Sequence, residues 1–331
     1  MKNNNWLVLA IAGVLFMSGL LMPAGQAVAA YPDRPVTILV GFAPGGSMSM
    51  SAMAIAKSVE KILGQSVIVE NKPGGTGTVA LAAMLAQNPD GYTLCATPSS
   101  VLIRVSQMQQ VPFVPFKSFK PIIGFAEPQL GIVVKSDAPW KSVKDLVNEA
   151  KKNPDKLKFA TIGTGSTTQA AIDEIMAAEK IQLIHVPYKG SSEALMSLLG
   201  GHVDFASLTS EFVSSVKSGQ TRLLATMSEK RSPKFPAVPT LKEVGYNFAN
   251  DAIFSIVAPA GIPTEVAKKL EAAFAQAIKS PEYLDELDKI DMIPVNYNSK
   301  EYDKFLRIHW KNINKHLISS GQIKQSATLP E

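Results

Sequence analysis

Val36-Thr-Ile-Leu-Val-Gly-Phe-Ala-Pro-Gly-Gly-Ser-Met-Ser49 is the stretch from which the fold can be read. Val36 to Val40 is a short β-branched run suited to a strand covered on both faces, as in a parallel sheet. Pro44, Gly45 and Gly46 break it. Ser47 or Ser49 is placed to cap a helix whose apolar positions Ala52, Ile55, Ala56, Val59, Ile62 and Leu63 recur at helical spacing until Gly64. A strand that empties through a glycine turn into a helix presents unpaired backbone N–H groups at the positive end of the helix dipole, and such a place attracts anions.

Upstream, Lys2 precedes an apolar run from Trp6 to Leu21, then Pro23, Gly25 and Ala27-Val-Ala-Ala30. This has the form of a cleavable export signal over residues 1–30, cut after Ala29 or Ala30. The run is short for a membrane span. Cys95 is the sole cysteine of the chain. It excludes an intramolecular disulfide, offers no thiol for lipid attachment at the cleavage point, and sits in an apolar run as a small buried hydrophobe. The mature chain is therefore expected free in its compartment, without membrane insertion.

Downstream, strand and helix signals alternate. Ser66 to Glu70 reads as a strand, Thr76 or Thr78 as the cap of an alanine-rich helix to Ala86, and Tyr92 to Ala96 as a strand leading into Thr97-Pro-Ser-Ser100. Pro112, Pro115 and Pro121 mark an irregular crossing before a strand at Gly131 to Val134. Ser142 and Asp145 form a capping box ahead of Val143, Leu146, Val147 and Ala150. Leu157 to Thr161 then repeats the opening arrangement: a strand, the turn Gly163-Thr-Gly-Ser-Thr-Thr-Gln169, and a helix. Strands follow at Ile181 to Pro187 and Val203 to Leu208, and Ser232 to Asn250 reads as a surface excursion. Ile253 to Ala258 is the return strand. Thr264 is expected to cap a helix with Val266, Leu270, Phe274 and Ile278 on one face, and a last helix aligns Tyr302, Leu306, Trp310, Ile313 and Leu317.

At 331 residues, 46% hydrophobic and 18% charged, the chain suits two soluble domains. The net charge of +5 is modest and its lysines are scattered, which argues against a nucleic-acid partner. Catalytic signatures are poor. Gly163-Thr-Gly165 lacks a further glycine at dinucleotide spacing, the first turn lacks the lysine of a phosphate loop, and no Gly-x-Ser-x-Gly elbow is present. His185, His202, His309 and His316 show no metal-ligand spacing and read as structural. The residues predict no enzyme, no metal and no cofactor.

Seven ordered segments carry a resemblance: Tyr31-Pro-Asp-Arg-Pro35, Pro44-Gly-Gly46, Val69-Glu-Asn-Lys-Pro-Gly74, Pro89-Asp-Gly-Tyr-Thr93, His185-Val-Pro-Tyr-Lys-Gly190, Leu198-Leu-Gly-Gly201 with Asp204, and Ala258-Pro-Ala-Gly261. Together they resemble the Bug/TctC proteins, extracytoplasmic substrate-binding receptors of tripartite tricarboxylate transporters. The resemblance implies an α/β chain with the type II periplasmic-binding-protein fold. One domain would span 31–130 and 253–331, the other 131–252, with two crossovers between them. It implies a small carboxylate ligand, periplasmic location, and membrane permease subunits as partners. A sensory receptor signalling to a kinase, or a secreted enzyme, are the alternatives of other classes. Family ligands are gripped by loops corresponding to Phe42 through Ser49 and Gly163 through Gln169.

The expected ligand-binding set is Phe42, Gly45, Gly46, Ser47, Ser49, Thr97, Ser99, Thr164, Ser166, Thr167, Thr168, Gln169, Tyr188 and Ser207. The hydroxyl residues are equally suited to caps and turns. Tyr188 and Phe254 suit either ligand contact or interdomain packing. Many relatives carry an aspartate where Ser49 stands, which makes an amino-acid ligand less expected here. Met48, Met50 and Met53 suit either a pliable pocket wall or helix core. Arg104 reads as a solvated surface arginine, or else as the partner of a ligand's distal carboxylate.

Overall fold

The computed structural model describes residues 31–248 and 252–324, so the predicted leader, 1–30, lies outside the described residues. The chain divides into two units after Asp33, and the unit that begins at Arg34 holds two sheets. Strands β1 (Val36–Val40), β2 (Val67–Asn71), β3 (Thr93–Pro98), β4 (Phe119–Pro128), β10 (Phe254–Pro259) and β11 (Met292–Asn298) form the first, in the order β11-β4-β10-β3-β1-β2. Strands β5 (Gly131–Lys135), β6 (Lys158–Thr161), β7 (Ile184–Pro187), β8 (Phe205–Leu208) and β9 (Thr221–Thr226) form the second, in the order β7-β6-β8-β5-β9. The architecture is a two-lobed α/β fold.

The predicted parallel pairing holds for β2-β1-β3 and β7-β6-β8. The strands that join the lobes enter antiparallel: β10 against β3 and β4, and β5 against β8 and β9. The proline-rich crossing is a correction. Phe119–Pro128 is a ten-residue strand, and it accommodates Pro121 at a register shift opposite Val257.

On the first sheet lie α1 (Ser47–Leu63), α2 (Thr78–Leu85), α7 (Thr264–Ala277), α8 (Pro281–Lys289) and α9 (Ser299–Ser319). Helix α9 buries Tyr302, Leu306, Trp310 and Leu317 at helical spacing, with Asn314 rather than Ile313 completing the face. Tyr283 of α8 is fully buried and donates its hydroxyl to the carbonyl of Phe125, 2.9 Å away. Neither Thr264 nor Thr78 caps its helix with a side chain. Pro263 and Gly77 precede those helices, and Thr78 donates instead to Gly75 O.

On the second sheet, one face packs α3 (Val143–Lys152) and α4 (Thr167–Glu179), and the other α5 (Ser191–Leu199) and α6 (Phe212–Lys217). The Ser142–Asp145 capping box forms as read. The excursion after Ser232 is less superficial than its prolines suggest, because Leu241 and Tyr246 are buried in this lobe's core.

Candidate functional site

The first loop is held in place by close backbone approach. A Cβ on Gly41, the residue after β1, would stand 2.5 Å from the Gly77 Cα, so only glycine lets the turn lie against the 74–77 loop. Helix α1 starts at Ser47 with Gly46 as its N-cap and without a side-chain cap. Ser47 and Ser49, expected as caps, turn elsewhere: Ser47 Oγ donates to Thr209 Oγ1 at 2.8 Å, and Ser49 Oγ bonds Asn71 at 3.2 Å. The N-terminus receives a carboxylate from the second lobe. Glu211 accepts from Ser47 N, and its other oxygen accepts from Thr209 Oγ1 at 2.6 Å.

Phe42, Gly46, Ser47, Thr209, Glu211 and Phe254 line a cavity of only about 20 Å³, room for a water molecule. The lobes meet around it. Ala43 N donates to Lys189 O at 3.1 Å, Ser192 Oγ to Pro44 O at 3.3 Å, and Thr76 Oγ1 to Thr164 O at 2.9 Å. Thr209 and Glu211 are additions to the predicted set. Their signal in the sequence is position, directly after β8, where a strand's C-terminal end reaches the cleft.

The second loop satisfies most of its own polar groups. Ser166 caps α4 by accepting from Gln169 N at 3.3 Å and donates to Gly163 O at 2.7 Å. Gln169 Oε1 accepts from Gly165 N at 2.7 Å, and Thr168 Oγ1 lies 3.0 Å from Ser166 Oγ. Ser207 Oγ donates to Thr168 O, and Ser99 Oγ accepts from Ile253 N. Tyr188 turns its hydroxyl to Ser197 on α5 and packs against its own lobe's core. Gly45 lies at a positive φ in the first turn, and Thr164 is exposed. Two hydroxyls differ from these: Thr97 Oγ1 and Thr167 Oγ1 are buried with no hydrogen-bond partner among the described residues.

Thr167 belongs to a different cavity from Ser47. With Ser100, Arg104, Phe248, Ile313 and others it lines a space of about 180 Å³. Arg104 corrects its reading as a surface residue. It is 5% exposed on the π-helical turn Val101–Val105, donates to Gln322 Oε1 at 2.8 Å, and lies 3.8 Å from Asp173 on α4. Burial pushes the Asp173 carboxyl up to about 6, against the lowering pull of Arg104. The methionines divide as well: Met48 is buried, whereas Met50 and Met53 are exposed rather than helix core.

Burial also sets His185. Its ring stacks on Phe159, Nε2 lies 2.6 Å from Thr161 Oγ1, and desolvation holds its pKa down to about 4. A histidine neutral in the fold contributes stability that is complete above its unfolded pKa of about 6.5 and is lost as pH falls towards 4. Asp173 acts in the opposite sense over an overlapping window, so the measurement is a difference. His185→Gln should flatten the acid limb of the melting-temperature profile between pH 6.5 and 4 relative to wild type. After allowance for solvent screening of a half-buried ring, the effect is on the order of 1–2 kcal/mol. Parallel profiles would show that His185 titrates normally.

Among the described residues no group of three or more His, Cys, Asp or Glu side chains is placed to hold a metal, and no helix is long and apolar enough to cross a membrane. The sequence model of the family described as "Tripartite tricarboxylate transporter family receptor" matches residues 52–321.

The chain belongs to that family.

A Cupriavidus necator protein described as "UPF0065 protein in gbd 5'region" is 38% identical over 284 residues, covering 86% of each chain. Protein BugT of Bordetella pertussis is 31% identical over 278 residues, covering 82% of this chain and 85% of BugT. Among solved structures, the periplasmic binding protein BugD superposes with a TM-score of 0.84 at 28% identity, over 88% of this chain and 99% of BugD. An R. palustris protein solved with adipate gives 0.83 at 26% identity, over 88% and 98% of the two chains. This receptor is thus a periplasmic binding protein of the TctC/Bug type, and its two-lobed fold is theirs.

Proposed function

We propose that this receptor is exported by cleavage of its 1–30 leader, captures a small organic carboxylate between its lobes, and presents the closed form to the permease subunits of a tripartite transporter. The ligand class is a di- or tricarboxylate or an aromatic acid. The lobes are 31–130 with 253–331, and 131–252, closing by hinge motion at the crossovers. No bond is made or broken.

The observation that carries the reading is the pair of unpartnered hydroxyls, Thr97 on β3 and Thr167 at the start of α4. Leaving such a group buried and unbonded costs about 1–3 kcal/mol each, and a ligand oxygen relieves that cost. Both stand at the cleft ends of their elements, where open α/β sheets take ligands. The adipate of the R. palustris neighbour supports a carboxylate as that ligand.

The test is thermal denaturation of the mature chain with adipate, citrate, benzoate and glutamate. A ligand at about one hundred times its dissociation constant stabilises the fold by about 2.7 kcal/mol. The expected result is a rise of several degrees with one carboxylate class and none with glutamate. Absence of a shift with every carboxylate, in ligand-free folded protein, would sink the reading.

A further inference from the structure

We propose that Glu211 is a latch built into the chain: its carboxylate, on the second lobe, seats on the N-terminus of α1 in the first lobe and holds the lobes closed without a ligand. The latch belongs to the protein whatever the cleft takes, and so goes beyond the carboxylate reading.

Helix α1 calls for such a partner. Its first intrahelical bond runs from Met50 N to Gly46 O, so the N–H groups of Ser47, Met48 and Ser49 stand ahead of the ladder. The helix has no side-chain cap and no acidic residue in its first turn, which leaves the positive end of its dipole uncompensated within the lobe. Glu211, 164 positions further on, supplies the missing charge by accepting from Ser47 N.

Glu211 in turn depends on that helix. It is half-buried in the loop between β8 and α6, and among the described residues its partners are Ser47 N and Thr209 Oγ1, with no basic side chain paired to it. Thr209 completes a ring. Its hydroxyl donates to Glu211 at 2.6 Å and accepts from Ser47 Oγ at 2.8 Å, while its own N–H is fixed by Ser191 Oγ at 3.0 Å. Ser47 therefore directs both of its donors across the cleft, and Ser47 and Thr209 are both buried, so parting the lobes breaks the ring as a unit. The neighbouring bonds from Ala43 N to Lys189 O and from Ser192 Oγ to Pro44 O join neutral groups, which leaves Glu211 as the charge-assisted contact at this mouth.

Its position is that of a partition. Ser47 and Glu211 line both the enclosed cavity of about 20 Å³ and an outer groove of about 450 Å³, whose other walls include Met50 of α1, Met196 of α5 and Lys289 of α8. Opening the Ser47–Glu211 contact joins the two spaces. A ligand that enters through the open form then associates at a rate set by the fraction of molecules unlatched.

Small-angle X-ray scattering from the mature chain, unfolded and refolded to strip any carried-over ligand, decides it. The variants are Glu211→Gln, which keeps the side chain's shape and removes its charge, and Thr209→Val, which removes the hydroxyl joining Ser47 to Glu211. Loss of a charge-assisted contact shifts the ratio of closed to open molecules by about tenfold or more. Wild type is expected to scatter as the compact closed form and both variants with a larger radius of gyration, and adipate should associate faster with the variants. Equal compactness in all three proteins, or a wild type already open, would overturn the latch. So would slower association of adipate with Glu211→Gln, because the carboxylate would then serve the ligand. If wild type binds no carboxylate in the thermal screen, the receptor reading falls and the scattering still decides the latch.

Discussion

Adipate binding is expected to fall by about tenfold or more in Gly163→Ala, a substitution of one methyl group. Gly163 follows β6 in the second lobe at φ +125°, and a Cβ there would stand 2.6 Å from Thr76 Oγ1 and 3.0 Å from its Cγ2, on the first lobe. Thr76 is itself tied across the cleft by its bond to Thr164 O. The added methyl cannot be absorbed without parting the loops, and a ligand that draws contacts from both lobes loses one set when they part. Backbone strain at that φ adds on the order of 1–3 kcal/mol, a fall of several degrees in melting temperature. The two effects separate in a double-mutant cycle. Thr76→Ala removes the two nearest atoms, so the double variant should regain affinity while keeping the lowered melting temperature. If affinity is unchanged in Gly163→Ala, closure at this contact is not needed for binding; if the double variant stays weak, strain rather than collision is the cause.

Phe159→Ala should destabilise the second lobe by about 3–5 kcal/mol. Phe159 is fully buried on β6, with Phe205 stacked at 5.6 Å between ring centroids and His185 at 4.9 Å. Truncation empties the middle of a three-ring stack that runs across β7, β6 and β8. The loss should be local, because the first lobe's core is built around other residues such as Phe125, Tyr283 and Phe274. Hydrogen exchange is the measurement. Amides of β6, β7 and β8 should lose protection while those of β1 and β3 keep theirs. Uniform loss in both sheets would mean that the lobes unfold as one unit.

Much of this architecture is legible in the residues, and where it is not the cause is physical. Strand β1 and the Ser142 cap come directly from local chemistry, a β-branched run in one case and two side chains three residues apart in the other. Strand β4 hides behind Pro121 because a proline normally excludes a central strand, and the register shift opposite Val257 that admits it is a tertiary feature. Helices α6 and α8 and strands β9 and β11 are short elements fixed by packing more than by pattern.

At the site, the strand ends and both loops are readable, yet which hydroxyls stay unbonded is not. Ser166, Thr168 and Ser207 look the same in sequence as Thr97 and Thr167, and only packing separates those that spend their hydrogen bonds internally. Arg104 and Glu211 escape for a related reason. A lone charged residue carries no local mark of burial, and the partners that decide it, Asp173 and Ser47, lie far along the chain.

Cys95 gives this receptor a practical property. Its sulfur is wholly enclosed in β3, and burial drives its pKa far up, so the reactive thiolate is suppressed. A cysteine introduced at the surface should therefore take a maleimide label alone, with no need to engineer the native one away. Met53 on α1 and Met196 on α5 are 58% and 67% exposed, one on each lobe. Replaced by cysteine and labelled as a pair, these positions would turn opening and closing into a distance measured in solution.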